Sequence, residues 1–281
     1  MKKYEILEKK KLAENVNEYV IYAPLVSRHC LAGQFIILRT DEDGERVPFT
    51  ICDYSRERGT VSILVQEVGF TTMKLAHMSV HDALCDFVGP LGNATDLSAY
   101  KNILLVGGGI GSAVIYPQCK QLKVGGQAVD VVVGARNKSL LMYVDEFEKC
   151  ADNLYLVTDD GSFGKQGFVT DMIEELVASG KNYDLVFAVG PLPMMRAVAN
   201  LTKKLGIKTV VSMNSMMVDG TGMCGCCRLT VAGVTKYACI DGPEFDGHMV
   251  DFDEAISRNK MYKEVENEHT CNLRRQYGEN K

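Results

Sequence analysis

The stretch Asp219-Gly-Thr-Gly-Met-Cys224-Gly-Cys226-Cys227, with Cys239 following in the phrase Cys239-Ile-Asp-Gly-Pro-Glu-Phe245, holds 4 of the chain's 10 cysteines. No other segment restricts the fold as much. Glycines interspersed with thiols argue against a regular helix or strand and permit a tight loop whose N–H groups turn inward. Thiolates are soft ligands for iron and zinc, so the loop is suited to wrapping a metal centre. Read without a metal, Asp219-Gly220 is a turn and the cysteines are small buried apolar residues. The crowding of four thiols weighs against that reading.

The Cys-x2-Cys spacing occurs in zinc knuckles and iron-sulfur loops alike. A zinc knuckle needs a second close pair, and the later candidates Cys239, His248, His269 and Cys271 do not supply one. A two-iron site spaced Cys-x4-Cys-x2-Cys with a distant fourth ligand fits better. Laid on this chain, the template puts Cys224 and Cys227 in the second and third places and Cys239 in the fourth. Asp219 takes the first, a carboxylate where a thiolate is usual. Cys226 is the rival for that place, disfavoured because neighbouring Cys226 and Cys227 aim their sulfurs poorly at one centre.

The chain's 281 residues, 46% hydrophobic and 24% charged, suffice for two domains of ordinary globular composition. The opening Met1-Lys-Lys-Tyr-Glu-Ile-Leu reads as neither signal nor transit peptide, so ten cysteines point to metal binding and the cytoplasm is the expected compartment. No run approaches the ~20 apolar residues of a membrane span. A net charge of -5 without a basic block argues against nucleic acid as a partner.

Residues 1–98 read as an antiparallel β-barrel. β-branched and aromatic runs at 18–23, 34–39, 48–52 and 60–68 are separated by Gly, Asp and Arg, with Asp43-Gly44 as a hairpin turn. In Arg46-Val-Pro48-Phe49-Thr50 a cation, a rigid backbone, a ring and a hydroxyl follow one another. That set suits a flavin, with Arg46 on the pyrophosphate and Thr50 at the isoalloxazine N5. Gly69-Phe-Thr71-Thr72 is fit to open a helix whose N–H groups face the same pyrophosphate. Taken singly, the first is an ordinary edge strand and the second an ordinary capped helix start.

Residues 99–212 read as a Rossmann-like α/β domain with a parallel sheet. The apolar strand Asn102-Ile-Leu-Leu-Val106 runs into Gly107-Gly108-Gly109-Ile110-Gly111 and then a helical pattern through Leu122, an arrangement that binds a dinucleotide pyrophosphate at a helix N-terminus. Three more apolar strands end at Gly134-Ala-Arg136, at Thr158-Asp159 and at Gly190-Pro191-Leu-Pro-Met194. Any βα loop uses Gly and Pro, but ligands of open α/β sheets sit outside the carboxyl ends of the strands, and these ends converge on one crevice. No acidic residue closes the second strand and Arg136 stands near, so NAD(H) and NADP(H) both remain open. Residues 213–281 carry the cysteine loop and a charged tail from Asp251 that reads as a helix, solvated or packed on a partner.

A flavin barrel, a nucleotide domain with Gly-Gly-Gly-Ile-Gly and Gly-Pro-x-Pro-Met-Met, and a loop ending Cys-x-Asp-Gly-Pro-x-Phe together resemble the ferredoxin-NADP reductase superfamily. The resemblance covers nearly the whole chain. Within it the chain is similar to the branch of the dihydroorotate dehydrogenase electron-transfer subunit, the sulfide dehydrogenase β subunit and the small subunit of NADH-dependent reduced ferredoxin:NADP oxidoreductase. Asp219 and the Met-rich Ser212-Met-Asn-Ser-Met-Met-Val ahead of it resemble the last two.

The resemblance implies FAD on Arg46, Pro48, Phe49, Thr50, Thr71 and Thr72, a [2Fe-2S] cluster on Asp219, Cys224, Cys227 and Cys239, and NAD(H) on the glycine turn. It implies hydride exchange between nicotinamide and flavin, and single electrons passed through the cluster to a larger flavin and iron-sulfur subunit in a heterodimer. Ferredoxin would be reached through an electron-bifurcating complex. A dihydroorotate or sulfide dehydrogenase subunit is the alternative within the class, and a redox-sensing or zinc-binding regulator the alternative outside it.

Overall fold

The structure, a computed structural model, describes residues 2–276. Its first layer is a six-stranded antiparallel sheet made of β1 (Ile6–Ala13), β2 (Val16–Tyr22), β3 (Phe35–Arg39), β4 (Val47–Ser55), β5 (Thr60–Gln66) and β6 (Asp86–Leu91), in the order β1-β2-β5-β4-β3-β6. An antiparallel bridge from Glu5 to Ala83 joins the two edges into a barrel. Alternate side chains turn inward, and Ile21, Ile36, Leu38, Val61 and Ile63 are fully buried in its core. Each such burial contributes about 1.5–3 kcal/mol. The connection from β3 to β4 is a loop rather than a two-residue hairpin, turned where Gly44 N donates to Asp41 O at 3.1 Å.

Two helices belong to this layer, α1 (Pro24–His29) and α2 (Phe70–His77). The Thr72 hydroxyl starts α2 by accepting from the N–H groups of Val68 and Gly69 at 3.0 and 2.9 Å. That is the return half of a capping box, in which the third helical residue holds the backbone at and before the N-cap.

The second layer is a seven-stranded sheet. It is built from β7 (Asn102–Gly108), β8 (Ala128–Ala135), β9 (Asn153–Thr158), β10 (Lys165–Gln166), β11 (Leu185–Val189), β12 (Lys208–Ser212) and, from the cysteine segment, β15 (Glu244–Asp246). The order is β10-β9-β8-β7-β11-β12-β15, parallel throughout except for the last pair. Ile103 and Leu105 face one helical layer while Leu104 and Val106 face the other, which is why this strand reads as a continuous apolar run. On the first face lie α3 (Gly111–Val124) and α4 (Val144–Cys150); on the second lie α5 (Val169–Ala178) and α6 (Leu192–Leu205).

Between the cysteines, β13 (Arg228–Val231) and β14 (Val234–Tyr237) form a hairpin. Its two turn residues, Ala232 and Gly233, have φ of 52° and 76°. Such a turn matches the strand twist but places a Cβ in the left-handed region at Ala232. The tail forms α7 (Phe252–Arg258), capped by the Asp251 carboxylate, and α8 (Lys263–Gln276). α8 returns to α2, with the Phe70 and His269 rings edge to face at 6.5 Å and Leu273 buried. Residues 277–281 of the expected tail helix lie outside the described residues.

Candidate redox site

The strand order reverses between β7 and β11, so the chain diverges on either side of their carboxyl ends and opens a crevice there. The barrel closes over that crevice. Lys120 on α3 meets the Asp53 carboxylate of β4 at 2.5 Å, and the Tyr143 hydroxyl donates to Glu18 Oε1 of β2 at 2.7 Å. What remains between the layers is one cavity of about 1200 Å³, above the roughly 300–1,000 Å³ of ordinary small-molecule pockets.

Pro48, Phe49, Thr50 and Thr72 line this cavity from the barrel side. Gly108, Gly109, Ile110, Gly111, Gly134, Arg136, Asp159, Gly190, Pro191 and Met194 line it from the α/β side. The glycines leave room that side chains would fill. A Cβ on Gly190 would stand 2.7 Å from Met194 Cε, and one on Gly107, just behind the lining, 2.8 Å from Ser112 Cα. Gly109 adopts φ of 55°, and its N–H donates to Gly134 O at 2.9 Å, fixing the turn to β8.

Arg46, Gly69 and Thr71 do not reach the lining. Arg46 Nε donates to Val218 O at 2.8 Å and its Nη2 to Asp219 O at 3.4 Å, two carbonyls on the cysteine loop. Thr71 donates to Glu45 Oε2 at 2.8 Å, and Gly69 forms the cap of α2. The cavity also draws on the β1–β2 turn at Glu14–Val16, on Phe168–Thr170, and on Met213 and Met217. Of these only the Met-rich stretch carried a signal in the sequence.

Two features of the walls fit a bound dinucleotide and flavin. Val47, Pro48, Phe49 and Thr50 are each only partly buried, although Phe35–Leu38 of neighbouring β3 is wholly buried. A strand in mid-sheet with apolar groups left open is a wall awaiting contact. In the first turn of α3, the Ser112 hydroxyl is buried without a hydrogen-bond partner among the described residues, beside the helix end suited to a phosphate.

The cysteine loop packs under the barrel. Gly220, Gly222 and Gly225 all have φ between 69° and 83°. Gly220 lies so close to β3 and β6 that a Cβ would come 2.8 Å from both Ile37 Cδ1 and Leu91 Cδ1. Cys227 and Cys239 are buried side by side, Sγ to Sγ 3.2 Å. The Asp219 carboxylate accepts from Thr221 N at 2.6 Å and Cys224 N at 2.8 Å, and these bonds hold it below the usual carboxylate range. Cys224 is exposed and Cys226 half-buried.

Among the described residues no three Cys, His, Asp or Glu side chains converge as a formed metal site. Cys227 and Cys239 are brought together, and Asp219 is linked to the Cys224 backbone. In donor chemistry the loop fits a thiolate-bound iron centre, with the buried pair as its assembled half. No helix of the described residues is long and apolar enough to cross a membrane.

Comparison with known proteins gives the same regions a lineage. The family model for the iron-sulfur cluster binding domain of dihydroorotate dehydrogenase B matches residues 214–251. The "uncharacterized protein in adh 3′ region" of Clostridium beijerinckii is 49% identical over 94% of this chain and 92% of its own length. A Thermotoga maritima protein named as a homolog of the dihydroorotate dehydrogenase B (NAD(+)) electron transfer subunit is 47% identical over 93% of this chain and 92% of its own. A chain from the structure of NADH-dependent reduced ferredoxin-NADP oxidoreductase, studied for flavin-based electron bifurcation, superposes with a TM-score of 0.90. It is 43% identical and covers 95% of this chain and 98% of itself.

Proposed function

The chain belongs to the family of dihydroorotate dehydrogenase B electron transfer subunits and their homologues, and on that premise we propose that it moves hydride between a nicotinamide dinucleotide and FAD and relays single electrons through a [2Fe-2S] cluster. It is an electron-transfer flavoprotein subunit of an oxidoreductase. The observation that carries the finer reading is the single cavity joining the β4 wall to the glycine turn, because two redox cofactors exchanging hydride must share one space.

Flavin supplies the conversion between two-electron and one-electron transfer when it is bound. Pro48, Phe49 and Thr50 would wall the ring system, and Thr72, holding the start of α2, would face it from the neighbouring segment. Gly69 and Thr71 belong to that helix start, whose backbone N–H groups would face the flavin pyrophosphate. Gly108, Gly109, Ile110 and Gly111 would receive the dinucleotide pyrophosphate at the N-terminus of α3. Gly134, Arg136 and Asp159 would hold its adenosine end, and Gly190, Pro191 and Met194 would border the nicotinamide. Asp219, Cys224, Cys227 and Cys239 would bind the cluster, while Arg46, which also holds the Val218 and Asp219 carbonyls to the barrel, would meet the flavin pyrophosphate. No acid or base is needed for hydride exchange, which agrees with a lining poor in titratable groups.

The partition 1–98, 99–212 and 213–281 into flavin, nucleotide and cluster segments follows from these roles. The likeness to the ferredoxin-NADP oxidoreductase chain supports a complex of that type. There, a larger flavin and iron-sulfur subunit would complete a cytoplasmic heterodimer and give access to ferredoxin. The test is co-purification with the neighbouring reading frames, followed by flavin absorbance, iron and acid-labile sulfide analysis, and NADH and NADPH oxidation. A complex that carries iron, sulfide and flavin and oxidises one nucleotide is expected. Zinc without sulfide, or no flavin and no nucleotide oxidation, overturns the proposal.

A further inference from the structure

We propose that Cys119 and Cys150 form a dithiol/disulfide couple in the nucleotide domain, closed by low-molecular-weight disulfides. The inference does not depend on the flavin or the cluster. Cys119 lies midway along α3 and Cys150 is the last residue of α4, and their sulfurs stand 2.9 Å apart. That is closer than the Cys227–Cys239 pair of the cysteine loop, at 3.2 Å. The two pairs also sit in different cores, on opposite faces of the seven-stranded sheet.

The two thiols are unequal, which sets the order of exchange. Cys119 is fully buried, whereas Cys150 is half-buried at a helix end and is the more accessible of the two. Contact with Cys119 first, and then the Lys120 and Lys123 ammonium groups, hold the Cys150 thiol below its ordinary range against the opposing effect of burial. Contact with Cys150 and burial push Cys119 up. The thiolate is the nucleophile in exchange, so Cys150 attacks and Cys119 resolves.

The steps balance. The Cys150 thiolate bonds to one sulfur of the small disulfide and displaces the other half as a thiolate. The Cys119 sulfur then bonds to Cys150, expelling the second half, and the Cys119 proton leaves with it. Two protein thiols are oxidised to one disulfide and one small disulfide is reduced to two thiols. Closure ties α3 to α4 across the chain that carries β8 and the cavity residues Leu140 and Met142. A cross-link of that kind stabilises chiefly by restricting the unfolded chain.

The full-length protein, purified under reducing anaerobic conditions, is treated with oxidised glutathione, alkylated and mapped by peptide mass spectrometry. The expected product is a Cys119–Cys150 linked peptide without retained glutathione, in protein that melts several degrees higher than its reduced form. In Cys119→Ser the glutathionyl group is expected to remain on Cys150, with no rise in melting temperature. An unmodified Cys150 in the wild type, or an adduct that persists there without closing, overturns the proposal.

Discussion

Glu244 is the carboxylate whose ionisation this fold opposes most clearly. It lies on β15, where the sheet, the segment before β7 and the barrel meet. Its Oε1 accepts the Thr95 hydroxyl, and a Cβ on Gly33 would lie 2.7 Å from the same oxygen. Burial pushes its carboxyl from an ordinary 4.5 up to about 7, and the Thr95 bond only partly offsets that. At about 1.36 kcal/mol per pH unit, the ionised form costs the fold roughly 3 kcal/mol. Because the folded value is raised, this contribution to stability is complete below pH 4.5 and is lost as pH rises through about 7. Glu244→Gln stays neutral at every pH and keeps an oxygen for Thr95 to donate to. The variant is therefore expected to match the wild type near pH 4.5 and to exceed it by roughly 3 kcal/mol above neutrality. Calorimetric melting of the two proteins in parallel from pH 5 to 8 reads this as a gap opening by roughly 6–10 °C. A gap that does not change with pH, or a wild type that melts higher at pH 8, refutes the reasoning, since either means the charged carboxylate is compensated.

In Gly190→Ala the new Cβ meets Met194 Cε at 2.7 Å and Gly108 Cα at 3.2 Å, so the crevice narrows. Nicotinamide dinucleotide affinity is expected to fall by at least roughly tenfold, about 1.4 kcal/mol, in a titration; unchanged affinity places the nucleotide elsewhere. Ala232→Gly relieves a Cβ at φ of 52° and is expected to stabilise the protein by about 1 kcal/mol, read as a higher melting temperature. Asp219→Ala removes the acceptor of the Thr221 and Cys224 N–H bonds and a candidate ligand together. Loss or alteration of the iron-sulfur spectrum is expected; an unchanged spectrum and iron content transfers the fourth ligand place to Cys226.

The elements most legible in the sequence are those whose physics is local. Asn102–Val106 reads as a buried strand because both of its faces are apolar, and the glycines after it carry the chain from strand to helix, Gly109 making the turn. β1 carries no such local signal, because Glu8 and Lys9–Lys11 crowd it with charge and only Ile6 and Ala13 at its ends are buried. The hairpin from Arg228 to Tyr237 carries no Asn-Gly or Asp-Gly signal, because its turn is Ala-Gly. For the site, glycine turns and the Pro48–Thr50 strand were visible as motifs. The carbonyls that engage Arg46 lie more than 170 residues away, and no local pattern encodes such a partner. The same holds for Cys119 and Cys150, 31 residues apart, whose spacing carries no motif and whose sulfurs meet only because two helices bring them together.

The bond from Arg46 and the packing of Gly220 against Ile37 and Leu91 attach the Asp219 end of the cysteine loop to the barrel. Cys227 and Cys239 are rooted in the core shared with α6 and β12, and the chain just beyond Cys239 enters the seven-stranded sheet as β15. That core also takes in Phe35 and Ile37 of β3, so the candidate ligands sit at the seam where barrel and seven-stranded sheet meet. Anything that gripped all of them would act as a rivet through that seam, fastening together the two layers between which the cavity lies.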